Sequence, residues 1–214
     1  TRSTSVRWAM LSQQAPCRNP LWSTGDWSGQ RGFSSAMPNS ETVLRRQAFE
    51  PTTTRQCMDV CILLGSKSDL HVADKCSAVL SEFGISHEVR VASAHRAPKY
   101  LETVVASAIE DGCKVFVGMA GMAAALPGVV AAMTTLPVIG VPVGGKVPLD
   151  SLLSIVQMPP GMPVATVGVD RGDNAAVLAV QILSLSDSDL SSRFSEWRDA
   201  RTAGVIADDE SLRE

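Results

Sequence analysis

From Asp59 onward, short runs of β-branched and other apolar residues alternate with stretches in which apolar positions recur every three or four residues. A run with no polar interruption fits a strand buried on both faces, and the longer period fits a helix with one buried stripe. The pattern predicts strands at 59–64, 87–92, 114–118, 137–141 and 163–168. It predicts a first helix from an N-cap at Ser68, with Ala73, Cys76, Leu80 and Phe83 on one face and a stop at Gly84. A second helix should open at Pro98, bury Leu101, Val104, Val105 and Ala108, and stop at Gly112. Further helices are expected near 126–134, 149–158 and 173–185, with one more around 190–200 in a polar tail. Strict alternation of strand and helix points to an α/β fold, a three-layer sandwich around a parallel sheet.

These boundaries divide the chain into a segment 1–55, a domain at 57–186 and a polar tail at 187–214. Of the 214 residues, 45% are apolar, enough for one sizeable core but not two full domains. The net charge of -3 leaves no clustered basic face for nucleic acid. The apolar stretch Val115–Val143 is broken by Gly118, Gly121, Pro127, Gly128, Pro137, Gly140 and Pro142, so no membrane span is expected. Five cysteines, at 17, 57, 61, 76 and 113, lack metal-ligand spacing and read as buried thiols in a reducing compartment.

Residues 1–55 carry seven Arg, no Lys and only three acids, Asp26, Glu41 and Glu50. That composition fits an organellar transit peptide, and Arg31-Gly32-Phe33-Ser34-Ser35 resembles a mitochondrial processing site. Mitochondrion is expected ahead of plastid, and cytoplasm if the segment does no targeting. A linker, or a retained irregular extension lying on other subunits of an organellar complex, are the alternatives.

In an open parallel sheet, ligands bind beyond the carboxyl ends of the strands, and three segments there carry candidate chemistry. Gly65-Ser66-Lys67-Ser68-Asp69 offers hydroxyls and helix N-terminal amides as an anion cradle, although such turns also simply cap helices. Ser93-Ala94-His95-Arg96-Ala97-Pro98 sets an imidazole that exchanges protons near neutral pH beside a guanidinium that binds phosphate with two bonds. His71 and His87 read as structural or exposed. The small-residue segment Gly118–Gly128 lets a flat ring approach the backbone, or lets a helix pack closely on the sheet.

In order, GSKSD, SAHRAP, the loop ending LPG, LPVIGVPV and DSLLSIVQMPPGMPVAT resemble the aminoimidazole ribonucleotide mutase and carboxylase family of purine biosynthesis. The resemblance spans about 130 residues. It implies a flavodoxin-like fold, a homo-octamer, sites built from more than one subunit, a small-molecule ribonucleotide substrate and no metal or cofactor. It also implies that Ser66 and Arg96 hold the 5'-phosphate, that Asp69 bonds the ribose hydroxyls and that His95 is the general acid/base. Ser68, Ser93, Gly121 and Leu126 complete the expected binding residues. In the mutase branch, the carboxylate moves from the exocyclic nitrogen of N5-carboxyaminoimidazole ribonucleotide to a ring carbon.

Three positions depart from the family pattern. Met119 and Met122 replace glycines, and Ala125 stands where the family has a second histidine. Met122 is expected to be the likelier obstruction of the crevice, and of Met119 and Ala120 one should face the crevice and the other the sheet packing. The loop after Val143, residues 144–149, is shorter than the family's. An active mutase or carboxylase leads. The alternatives are an inactive relative serving as a structural subunit of an organellar complex, and a carboxylating enzyme acting on another heterocycle. Gly121–Pro127 is also similar to a family that carboxylates a pyridinium dinucleotide, but GSKSD and SAHR favour the purine branch.

Overall fold

A computed structural model describes residues 58–213. The expected leader and its processing site, with Cys17 and Cys57, lie outside the described residues.

Five parallel strands form one sheet in the order β2-β1-β3-β4-β5: β1 Val60–Leu64, β2 His87–Val91, β3 Val115–Ala120, β4 Val138–Pro142 and β5 Ala165–Thr166. This is the flavodoxin-like order, with the chain reversing direction across the sheet between β1 and β3. The three central strands are buried at every position, as their continuous apolar runs require. The edges differ. β2 alternates His87, Glu88 and Arg90 with valines, and β5 pairs over two residues only, shorter than its expected run.

Side-chain alternation sorts the core into two layers. Val60, Ile62, Leu64, Val115, Val117 and Met119 pack against α1 (Leu70–Glu82) and α5 (Gly172–Ser184). Cys61, Leu63, Phe116 and Ala120 face α2 (Pro98–Glu110), α3 (Leu126–Ala131) and Ile155 of α4 (Pro148–Val156). Helices α1 and α2 end as expected. Gly84 (φ 66°) and Gly112 (φ 90°) take the left-handed conformation, and the next residues, Ile85 and Cys113, donate back to Leu80 and Ala108.

The start of α1 corrects the expectation. Ser68 does not cap it: Ser66 Oγ accepts from Ser68 N at 3.3 Å and caps a short 3-10 turn over Lys67–Asp69, and α1 begins at Leu70 with Asp69 at its N-cap position and no side-chain bond there. The Ser68 hydroxyl instead donates to Asp69 Oδ1 at 2.9 Å. The tail helix α6 also runs longer than expected, over Ser188–Ser211. Asp187 caps it by accepting from Leu190 N at 2.9 Å. Phe194 and Trp197 then pack on Phe83, and Trp197 Nε1 donates to Glu82 Oε1 at 2.9 Å.

Cys61, Cys76 and Cys113 are buried and unbridged. Burial pushes the Cys61 and Cys76 thiols up to about 12 and Cys113 to about 11, so all three stay protonated near neutral pH and pack as small apolar groups. No helix among the described residues is long and apolar enough to cross a membrane.

Candidate functional site

The carboxyl ends of β1, β2, β3 and β4 open onto a single crevice of about 880 Å³. All the residues expected from the sequence meet there. Ser66, Ser68 and Asp69 come from the turn after β1, Ser93, His95 and Arg96 from the turn after β2, and Gly121 and Leu126 from the segment after β3.

The first two turns are tied together by Arg96. Its Nη2 donates to Gly65 O at 2.7 Å, and its Nε donates to Ser93 Oγ at 3.2 Å. Ser93 Oγ also accepts from Arg96 N at 3.3 Å, so this serine aims the guanidinium from its own loop. Arg96 and His95 are both exposed to the crevice. Asp69 is buried, with one oxygen taken by Ser68 Oγ. The other lies beside Gly65, 3.9 Å from where a Cβ on that glycine would stand. The other two histidines stand apart: His71 Nδ1 is 3.0 Å from Ser68 O, and His87 Nδ1 is 2.9 Å from Ile85 O.

The replaced glycines do not close the crevice. Met119 is fully buried among the α1 and α5 contacts, while Ala120 presents its methyl to the crevice. Met122 does hold left-handed backbone, φ 56°, which explains a family glycine there and costs a methionine about 1 kcal/mol. Its side chain is 72% exposed and lines the rim without filling it, so the expected obstruction is corrected. Ala125 lines the wall as the residue before α3.

In the sequence the loop after β4 stands out only for its length, yet it forms the fourth wall through Val143, Gly144, Gly145, Lys146 and Val147. The rule that pointed to the turns after β1 to β3 applies equally to β4, but this loop carries no compact motif. Four ionisable side chains thus line the crevice: Asp69, His95, Arg96 and Lys146. Among the described residues, no group of three His, Cys, Asp or Glu could hold a metal ion.

The sheet order and the crevice at its carboxyl edge define a flavodoxin-like α/β protein whose strand-end loops surround a crevice lined by polar, charged and small apolar side chains. Residues 59–203 match the model of the AIR carboxylase family, and the chain belongs to that family. It is 53% identical over 156 residues to the N5-carboxyaminoimidazole ribonucleotide mutase of Methanocaldococcus jannaschii, a match covering 72% of this chain and 98% of the archaeal protein. The chloroplastic phosphoribosylaminoimidazole carboxylase of Vigna aconitifolia is 45% identical over 182 residues, 84% of this chain but 33% of the plant protein. The crystal structure of Treponema denticola PurE superposes with a TM-score of 0.65 at 28% identity, covering 72% of this chain and 98% of that one. The resemblance drawn from GSKSD and SAHRAP, the flavodoxin-like fold and the place in purine biosynthesis are therefore borne out, and neither alternative function gains support.

Proposed function

We propose that this chain is an N5-carboxyaminoimidazole ribonucleotide mutase, with Ser66, Asp69, His95 and Arg96 in the roles that the family resemblance implies. The observation that carries the reading is the convergence of these four side chains, from two separate turns, on one crevice large enough for a ribonucleotide. Arg96, already anchored to Gly65 O, stands beside the Ser66-capped turn, and together they supply charge and hydroxyls for a phosphate. The free oxygen of Asp69 accepts from ribose hydroxyls. Ser68 fixes Asp69, Ser93 fixes Arg96, and Gly121 and Leu126 bound the space for the heterocycle.

The reaction is an isomerisation and balances without a co-reactant. As the bond from the exocyclic nitrogen to the carboxyl carbon breaks, carbon dioxide leaves and the nitrogen takes a proton. The enamine-like ring carbon attacks the trapped carbon dioxide, a carbon–carbon bond forms, and the ring carbon gives up its proton. One imidazole, His95, donates the first proton and accepts the second. Ala120, Ala123, Ala125 and Leu126 give the apolar wall that holds carbon dioxide against escape into water.

The direct test is conversion of N5-carboxyaminoimidazole ribonucleotide by the purified chain, followed by ultraviolet absorbance of the product. Turnover well above the spontaneous rate is expected, and none would overturn the reading. Arg96→Ala should weaken ribonucleotide binding by about 2 to 4 kcal/mol, the loss expected when one partner of a charge-assisted contact is removed. Calorimetry showing unchanged affinity would remove Arg96 as the phosphate ligand.

Self-association is part of the proposal. Leu149, Leu153 and Val156 form an exposed apolar stripe along α4, beside the crevice, of the kind that a second copy covers. The octamer and shared sites are inferred from the family likeness, and contacts of residues 1–55 with other subunits of an organellar complex rest on the leader's composition alone. For the compartment, the plastid is favoured over the mitochondrion. The plant relative is named chloroplastic.

A further inference from the structure

We propose that Lys146 binds the carboxylate of the ribonucleotide, the second of its two anions, and that Asp170 is the residue that positions Lys146. The inference rests on the functional reading above and extends it to the opposite end of the crevice.

The two cations in the crevice lining, Arg96 and Lys146, stand at its two ends. Arg96 follows β2 and Lys146 follows β4, and β1 and β3 lie between those strands. Three inter-strand steps separate the two attachment points by about 14 Å. A ribose phosphate carrying a carboxylated five-membered ring is an elongated dianion, with its phosphate and carboxylate at opposite ends, and the long lysine stem closes the remaining gap. The polar groups at the Arg96 end suit a sugar phosphate. The wall built by the segments after β3 and β4 includes Gly121, Ala123, Ala125, Leu126, Val143 and Val147, and Lys146 is the one ionisable group those two segments bring to the crevice. A carboxylate brought against such a wall needs a cation to offset its lost hydration. The Lys146 ammonium makes no hydrogen bond or ion pair among the described residues, so it is available.

The loop that carries Lys146 is held at both ends. Asp170 Oδ1 accepts from Gly144 N at 2.8 Å, and Asp170 N donates to Pro142 O at 2.9 Å. Asp170 does this from left-handed backbone, φ 56°, a conformation that non-glycine residues adopt at a cost and that concentrates at functional sites. Lys75 Nζ supports it by donating to Asp170 O at 3.3 Å. The approach is close: a Cβ on Gly144 would stand 2.5 Å from Asp170 Oδ2. On the other side, the fully buried Ser151 Oγ lies 3.0 Å from Val143 O and 2.9 Å from Pro148 O. Three residues, 145–147, between the anchored Gly144 and Pro148 have little freedom to turn Lys146 away.

Titration calorimetry of the full chain with two probes tests the assignment: carboxyaminoimidazole ribonucleotide, and aminoimidazole ribonucleotide, which lacks the carboxylate. K146M should bind the carboxylated probe at least tenfold more weakly and the uncarboxylated one within about twofold of wild type, a single lost charge-assisted contact. K146R should keep most of the discrimination. D170A should lower it in the same direction, and D170N should restore it, because asparagine accepts the Gly144 bond and tolerates left-handed backbone. Lys146 is exposed, so its variants are not expected to unfold, and the K146R comparison stands even if D170A does not fold. Equal weakening of both probes, or an unchanged ratio in K146M, would overturn the assignment of Lys146 alone. A wild-type chain that binds neither probe would overturn the functional reading and this inference with it.

Discussion

His95→Asn will lower turnover by about a hundredfold or more while leaving ribonucleotide affinity close to wild type. The expectation follows from where the imidazole stands. His95 lies in the turn between β2 and α2, on the crevice, next to the arginine whose guanidinium is fixed by Gly65 and Ser93. Asparagine preserves a polar side chain of similar reach and leaves the Arg96 bonds intact, so the phosphate contact survives. What asparagine lacks is a group that gives and takes a proton near neutral pH. Carbon–nitrogen cleavage and carbon–carbon formation each require one proton transfer, and among the described residues the other histidines, His71 and His87, do not line the crevice. Single-turnover kinetics alongside calorimetry separates the two effects. Near-wild-type turnover would rule out the relay, and a matched loss of binding would recast His95 as a binding residue.

The parts of the fold that were legible in the sequence are those decided locally. Strands β1, β3 and β4 announced themselves because both of their faces are covered, which demands unbroken apolar runs. Gly84 and Gly112 marked helix ends because a left-handed cap favours glycine. The crevice followed from topology, since a parallel sheet fixes which ends of its strands carry ligand loops. What the sequence left open depends on contacts between distant residues. Whether Met119 or Ala120 turns to the crevice is set by the pairing register of β3 with β1 and β4, which the alternation alone leaves undetermined. Ser68 does not cap α1 because its hydroxyl donates to Asp69 and a 3-10 turn capped by Ser66 precedes the helix. The anchoring of Gly144 by Asp170 spans 26 residues and has no motif at either end. The extra length of α6 was hidden for the opposite reason. Residues 201–211 are exposed throughout, so no buried stripe signals that segment, and helix-favouring residues such as Ala203, Ala207 and Glu210 sustain it.

Gly172→Ala will destabilise the domain by about 3 kcal/mol or more, because the clash is with backbone rather than with a side chain able to move. Gly172 is the buried first residue of α5, where that helix meets α1. A Cβ built there would stand 2.1 Å from the carbonyl oxygen of Val72 and 3.1 Å from its carbonyl carbon. That carbonyl sits in the first turn of α1, so moving it aside disturbs the helix's own hydrogen bonds. Relief therefore requires α5 to shift away from α1. The shift would loosen the packing of Ala175, Ala176, Ala179 and Val180, all fully buried, on the sheet. For a domain of this size the melting midpoint should fall by about 6 to 12 °C. The cost reaches the site as well. Asp170 lies two residues before Gly172, and its hold on Gly144 sets the wall that carries Lys146. At a temperature where the variant is still folded, its preference for the carboxylated ribonucleotide over the uncarboxylated one should drop as in D170A. A melting midpoint within 2 °C of wild type would show that α1 and α5 yield easily at this contact. A lowered midpoint with full discrimination would instead separate the packing of α5 from the placement of the Lys146 loop.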